Sequence, residues 1–73
     1  MIRPNPVTDY ARIGAPEIIT DLKIYSLTGV LVKDYPVYSR QIDLDISDLP
    51  ANLYVVKVTL NNGQVIVEKI LKL

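Results

Sequence analysis

The sequence predicts an all-β protein, an antiparallel immunoglobulin-like β-sandwich of about six to seven short strands. Three observations predict it. Val, Ile, Leu, Thr and Tyr dominate the chain. Turn signals recur about every 8–12 residues, the spacing of a sandwich or barrel. No window carries the apolar pattern of an amphipathic helix.

The segments follow in order. Met1 to Asp9 contains Pro4-Asn5-Pro6. Two prolines so close deny a central strand its N–H groups, so an extended edge or polyproline-like lead-in is expected. Thr8 and Asp9 can close a local turn through their side chains. Tyr10 to Ile13 is a short strand that Gly14-Ala15-Pro16 is expected to break. Ile18 to Ser26 is the next strand, with Leu22 and Ile24 on one face and Lys23 and Tyr25 on the other. Ser26-Leu27-Thr28-Gly29 reads as a tight turn with Gly29 at positive φ. Val30 to Tyr35 returns, which makes Leu22 to Lys33 a β-hairpin.

A loop around Pro36 is expected from Tyr35 to Arg40. Ile42, Leu44 and Ile46 then alternate with Gln41, Asp43 and Asp45, giving a one-sided strand with a wet outer face. Leu53 to Leu60 is the strongest strand. Tyr54, Val56, Val58 and Leu60 share one face, and Lys57 and Thr59 lie on the other. Asn61-Asn62-Gly63 signals a hairpin back into Val65 to Leu71. In that last strand Val65 and Val67 agree in phase and Ile70 does not, so a bulge is expected.

Length and composition exclude several function classes. The 73 residues are expected to form one domain, residues 1–73. A domain near this size buries only about 60% of its unfolded surface, which leaves no room for a deep dry pocket. Hydrophobic residues at 49% and charged residues at 22% exclude disorder. Eight basic and eight acidic residues cancel, and no basic stripe exists, so no nucleic-acid partner is expected. Apolar runs fall far short of the roughly 20 residues that span a bilayer. Pro4 and Pro6 stand where the apolar part of a signal peptide would lie. The chain is therefore expected to be a cut-out domain or to have its export signal on a longer precursor.

Candidate chemistry is sparse. The chain has no Cys, His or Trp, so disulfides, thiolate sites and imidazole sites are absent, and no metal or cofactor is expected. Ser26, Ser39 and Ser47 have no His to activate them. Asp43 and Asp45 face the same way, but as a solvated strand face rather than an acid/base pair. Asp45 and Asp48 supply too few oxygens for calcium. Gly29 and Gly63 are isolated and cradle no phosphate. No catalytic residue is expected, and the chain is not read as an enzyme.

One corner points to a particular architecture. Leu49-Pro50-Ala51-Asn52-Leu53-Tyr54 precedes the strongest strand. In immunoglobulin-like sandwiches a Tyr at this place bonds back to backbone a few residues upstream. Tyr54 is expected to do so, with Pro50 setting the corner and Leu49 plugging one end of the core.

Four segments in order resemble the C-terminal sorting domain of the type IX secretion system. Pro4-Asn5-Pro6-Val7-Thr8-Asp9 is similar to that family's opening motif. Ile24 to Val32, with Gly29 and Val32, resembles its strand, turn Gly and Gly-x-x-Val hairpin. Ile42 to Asp48 running into Leu49 to Val58, with Tyr54 and Val56, resembles its Leu-x-x-Gly-x-Tyr-x-Val segment. Glu68-Lys69-Ile70-Leu71-Lys72-Leu73 is similar to its Lys-rich apolar terminus. Asn52 stands where the family has Gly, and Asn is the non-Gly residue best able to take a left-handed backbone. Val30 stands where the family often has a basic residue.

The resemblance implies a C-terminal secretion signal that directs an attached cargo across the outer membrane. The implied partners are type IX translocon components, a sortase-like cysteine protease and a fused N-terminal cargo domain. The implied route runs through the periplasm to the cell surface or medium of a Gram-negative bacterium, with the signal cut off upstream and the cargo released or anchored. Lys69, Ile70, Leu71, Lys72 and Leu73 are the expected recognition residues, read by β-augmentation of the last strand. The exposed edges also offer a homodimer contact. The competing reading is an immunoglobulin-like accessory module that binds carbohydrate or protein, with Tyr10, Tyr25, Tyr35 or Tyr38 forming a platform.

Overall fold

A computed structural model describes residues 2–73 of the chain. Five strands form one antiparallel sheet: β1 (Ile2–Arg3), β2 (Tyr10–Ser26), β3 (Leu31–Asp45), β4 (Asn52–Leu60) and β5 (Val65–Lys72). β2 lies at the centre. β3 runs along one side of it. The other side is shared, with β1 beside its first half and β4 beside its second. β5 follows β4. The sheet curls into a half-barrel.

The all-β antiparallel class is as expected; the described residues hold five strands in one curled sheet where six to seven were expected, and they do not establish an immunoglobulin-like sandwich. Two expected breaks turn out to be bends within long strands. Gly14-Ala15-Pro16 lies inside β2, where pairing shifts register between Gly14 and Ile19 and again between Ile19 and Asp21. Such bulges bend a strand without reversing it. Pro36 lies inside β3, opposite Asp21. β3 pairs only with β2, and an edge strand tolerates the missing N–H of proline.

The bends also change which residues face inward. Ala11, Ile13 and Ile19 are buried before the second shift, and Leu22 and Ile24 after it. In β3, Val37 is buried, and then the even-numbered Leu44 and, just beyond the strand, Ile46. The long β2–β3 ribbon thus wraps its two ends around one core, which Tyr54, Val56, Val58 and Leu60 of β4 complete. That β4 face is the one expected from its alternation.

Both hairpins close with three-residue loops. Ser26 N donates to Val30 O at 2.8 Å, and Leu60 N donates to Gln64 O at 2.9 Å. Gly29 and Gly63 have φ of 88° and 87°, which side-chain-bearing residues rarely adopt. Asn62 does not share this geometry, so the second turn is the three-residue type with one left-handed glycine rather than a two-residue Asn-Gly turn. Asn52 is likewise not left-handed. It opens β4 as an extended residue, and its Oδ1 accepts from Leu53 N at 2.8 Å. The expected left-handed turn at this place is not needed, because the corner is held by other bonds.

Those bonds start with Tyr54. Its Oη donates to Pro50 O at 2.6 Å, the back-bond expected at this corner. Leu49 N donates to Ile46 O at 3.0 Å, and the Leu49 side chain packs against the core.

Candidate functional site

The closing strand and its surroundings carry the features that chemistry elsewhere in the chain lacks. β5 pairs with β4 without a register shift, from Thr59↔Val65 to Asn52↔Lys72. The expected bulge is therefore absent. Ile66, Glu68, Ile70 and Lys72 face inward, and Val65, Val67, Lys69 and Leu71 face outward. Two charged residues at inward positions hid this alternation in the sequence. Both lie at the margin of the core. Glu68 Oε2 is shielded without a partner, and Lys72, only 7% exposed, donates from Nζ to Leu73 O at 3.0 Å.

The five terminal residues thus fall into two groups. Lys69, Leu71 and Leu73 reach solvent, whereas Ile70 is fully buried and Lys72 nearly so. A partner that meets the folded sheet can touch the first group and not the second.

The outer border of this strand is partly occupied by the chain's own start. Asn5 acts like a strand residue with its side chain. Its Nδ2 donates to Lys69 O at 3.1 Å, and its Oδ1 accepts from Leu71 N at 3.0 Å. Val7 continues the pairing with its backbone: Val7 N donates to Leu71 O, and Leu73 N donates to Val7 O, both at 2.8 Å. Val7 is fully buried and bridges in parallel to Lys72. Asp9 O then accepts from Ile46 N at 2.8 Å, tying the lead-in to the end of β3. The Pro4-Asn5-Pro6-Val7 segment is a clasp on the C-terminal strand, not a free edge. Sequence reasoning did not pair these segments, although Asn, whose amide both donates and accepts, is the residue type suited to mimic backbone.

The outward face of β4 and β5 mixes aliphatic residues with lysines. Lys57 stands opposite Lys23 on one side and Val67 on the other, and Lys69 stands opposite Val55. Lys23 Nζ is bonded to Asp21 and Asp34, both at 3.0 Å. The bond to Asp21 and then that to Asp34 hold the Lys23 ammonium above its usual range. Among the described residues, no carboxylate is paired with Lys57 or Lys69.

The carboxylates weighed for chemistry each serve the structure. Asp43 accepts from Arg12 Nε at 2.8 Å across β2 and β3, and this bond holds its carboxyl below the usual range. Asp45 Oδ1 accepts from both the hydroxyl and the N–H of Ser47, which lowers Asp45 likewise. Asp48 pairs with Lys33 at 2.6 Å, which lowers the acid and raises the base. The four tyrosines differ in exposure. Tyr10 and Tyr38 are exposed, Tyr25 lies on the outer face, and Tyr35 packs against the core. A shallow hollow of about 310 Å³ beside Tyr10 is lined also by Arg3, Pro4, Arg12 and Asp43.

The remaining motif residues are structural or exposed. Val56 is buried opposite Ile24 and Glu68. Val32 is 36% exposed and adds little to the core. No curated protein matches the chain. Over residues 1–72 it matches the family described as the secretion system C-terminal sorting domain. That family comprises sorting signals rather than enzymes, and its role implies export to the cell surface or secretion. A match across essentially the whole length, ending on the clasped terminal strand, means that this chain belongs to the secretion system C-terminal sorting domain family, the type IX sorting signals.

Proposed function

We propose that residues 1–73 direct a cargo fused ahead of them across the outer membrane of a Gram-negative bacterium, through the type IX translocon. The single observation that carries this reading is the family match over residues 1–72. The geometry supports a passive role. Asp43 and Asp48 are tied into ion pairs and Asp45 into a turn, and the hollows are shallow surface features.

In this reading the cargo enters the periplasm by its own signal. The translocon then meets a folded sheet, and Lys69, Leu71 and Leu73 are the residues of the terminus it can reach. Ile70 and Lys72 act indirectly, by holding β5 to the core. A sortase-like cysteine protease cuts upstream of the sheet, and the cargo is released or anchored at the surface. The position of the Asn5–Val7 clasp supports a cut on the cargo side of it, because a cut within it would free the border of β5.

The test is a periplasmic reporter carrying residues 1–73 at its C-terminus, expressed in a host with this secretion system. Surface exposure of the reporter is expected. Truncation of Lys69 to Leu73 also removes the clasp's partners, so its expected outcome is periplasmic retention. Normal export of the truncated fusion would sink the terminal reading.

A further inference from the structure

We propose that the Val65–Val67 stretch of β5 is a strand-addition site for an extended, carboxylate-bearing peptide segment of the secretion machinery. This rests on the sorting reading above and moves the docking edge away from the extreme terminus.

The backbone phase of β5 carries the inference. Leu60 N donates to Gln64 O, and the pairing runs on to Lys72 without a shift. In an antiparallel ladder, alternate residues of a strand bond to the same neighbour. Even-numbered residues of β5 therefore bond to β4, and odd-numbered ones point outward. Along positions 69 to 73, Asn5 and Val7 take up Lys69 C=O, both Leu71 groups and Leu73 N–H, which leaves Lys69 N–H open on that border. Val65 and Val67 share that outward phase, and among the described residues no hydrogen bond is made to their outward N–H and C=O groups. Both residues are open to solvent, Val67 at 59%.

This border also lacks protection. The longer border, β3, contains Pro36 and the charged residues Lys33, Asp34 and Arg40, the devices that blunt an edge. Val65-Ile66-Val67 is uncharged, β-branched and free of proline. A strand so composed, with open backbone groups, is a template for another strand.

Charge selects the partner. A strand added beside Val67 places side chains on the outer face, within diagonal reach of Lys69. Lys57 lies across from Val67 on the same face. Neither lysine has a carboxylate partner among the described residues, whereas Lys23 has two and Lys33 and Arg12 have one each. An acidic side chain on the incoming segment supplies the missing charge. A bilayer surface would meet the same lysines and valines but offers no matched row of donors and acceptors to the outward amides.

Val67→Pro tests the proposal. The Val67 N–H points away from β4, so proline there removes no internal ladder bond while it blocks an incoming strand. Val67→Ala keeps the N–H. In the reporter fusion, with circular dichroism confirming that each variant folds, Val67→Pro should cut surface display at least about tenfold and Val67→Ala less than about threefold. The double reversal Lys57→Glu/Lys69→Glu should also cut display. Wild-type export with undiminished display of folded Val67→Pro overturns the edge; if Val67→Pro does not fold, undiminished display of the double reversal does so. Failure of the wild-type fusion to reach the surface would instead sink the sorting reading itself. Vesicles of phosphatidylethanolamine and phosphatidylglycerol give the lipid control. Binding by the fusion that persists in Val67→Pro and vanishes in the double reversal would also overturn the proposal.

Discussion

Asn5→Ala should loosen the clasp by an amount the structure allows to be worked out. The substitution removes two hydrogen bonds to β5 backbone, one from Nδ2 to Lys69 O at 3.1 Å and one from Leu71 N to Oδ1 at 3.0 Å. Each such bond contributes about 0.5–1.5 kcal/mol net. The freed groups lie on an exposed border and regain water, so the cost should sit in the lower part of the summed range, about 1–2 kcal/mol. At about 4–8 °C per kcal/mol for a domain of this size, the melting temperature should fall by about 4–16 °C. Far-UV circular dichroism measures the melt, and hydrogen exchange locates the effect. Exchange at the Leu71 amide should accelerate more than at Ile70, whose amide faces β4. Asn5→Asp keeps the acceptor for Leu71 N and loses the donor to Lys69 O, so it should fall between the two. An unchanged melt with unchanged Leu71 exchange would refute the clasp.

Three further outcomes follow from the same geometry. Tyr54→Phe removes the 2.6 Å bond to Pro50 O and should cost about 1–2 kcal/mol in denaturant unfolding, with the fold retained. Gly63→Ala, at φ of 87° with nothing near a new Cβ, should cost about 1–2 kcal/mol from backbone strain alone. Acid should destabilise the protein through Asp43, Asp45 and Asp48, whose folded carboxyls lie below the ordinary value of 3.8. Their contribution is present above that value and is lost as pH falls through the lower folded values. Melts below about pH 4 at low salt should therefore steepen with acidity, and Asp48→Asn should flatten the slope.

Much of the fold was legible because it is local. The alternation of Tyr54, Val56, Val58 and Leu60 placed β4 and its buried face correctly, since no charged residue interrupts that face. Gly29 and Gly63 marked both hairpins, since a left-handed position nearly requires glycine. The Tyr54 corner was readable from a Pro four residues before an aromatic. Strand continuity was not readable at Gly14 or Pro36. Both residues disfavour a central strand, and only the sheet's layout shows one as a bulge and the other on an edge.

The site was less legible, for reasons of distance and disguise. The Asn5 contacts join residues 64 and 66 positions apart, beyond any local pattern. Glu68 and Lys72 face inward at the core's margin, so the alternation of β5 looked broken. Lys72, one of the expected recognition residues, is nearly buried and spends its ammonium on the Leu73 carbonyl. Val65 and Val67 do share one phase, as expected, but it is the exposed one, and Ile70 lies on the buried face. The recognition residues expected at the terminus thus separate into a reachable set and a structural set only once the strand's phase is known.

The most direct measurement compares surface display of a reporter ending in residues 1–73 in two otherwise identical hosts, one with a working type IX translocon and one without. The account predicts protease-accessible reporter on the first and protected, periplasmic reporter in the second. Equal display in both hosts, or retention in both, would contradict it.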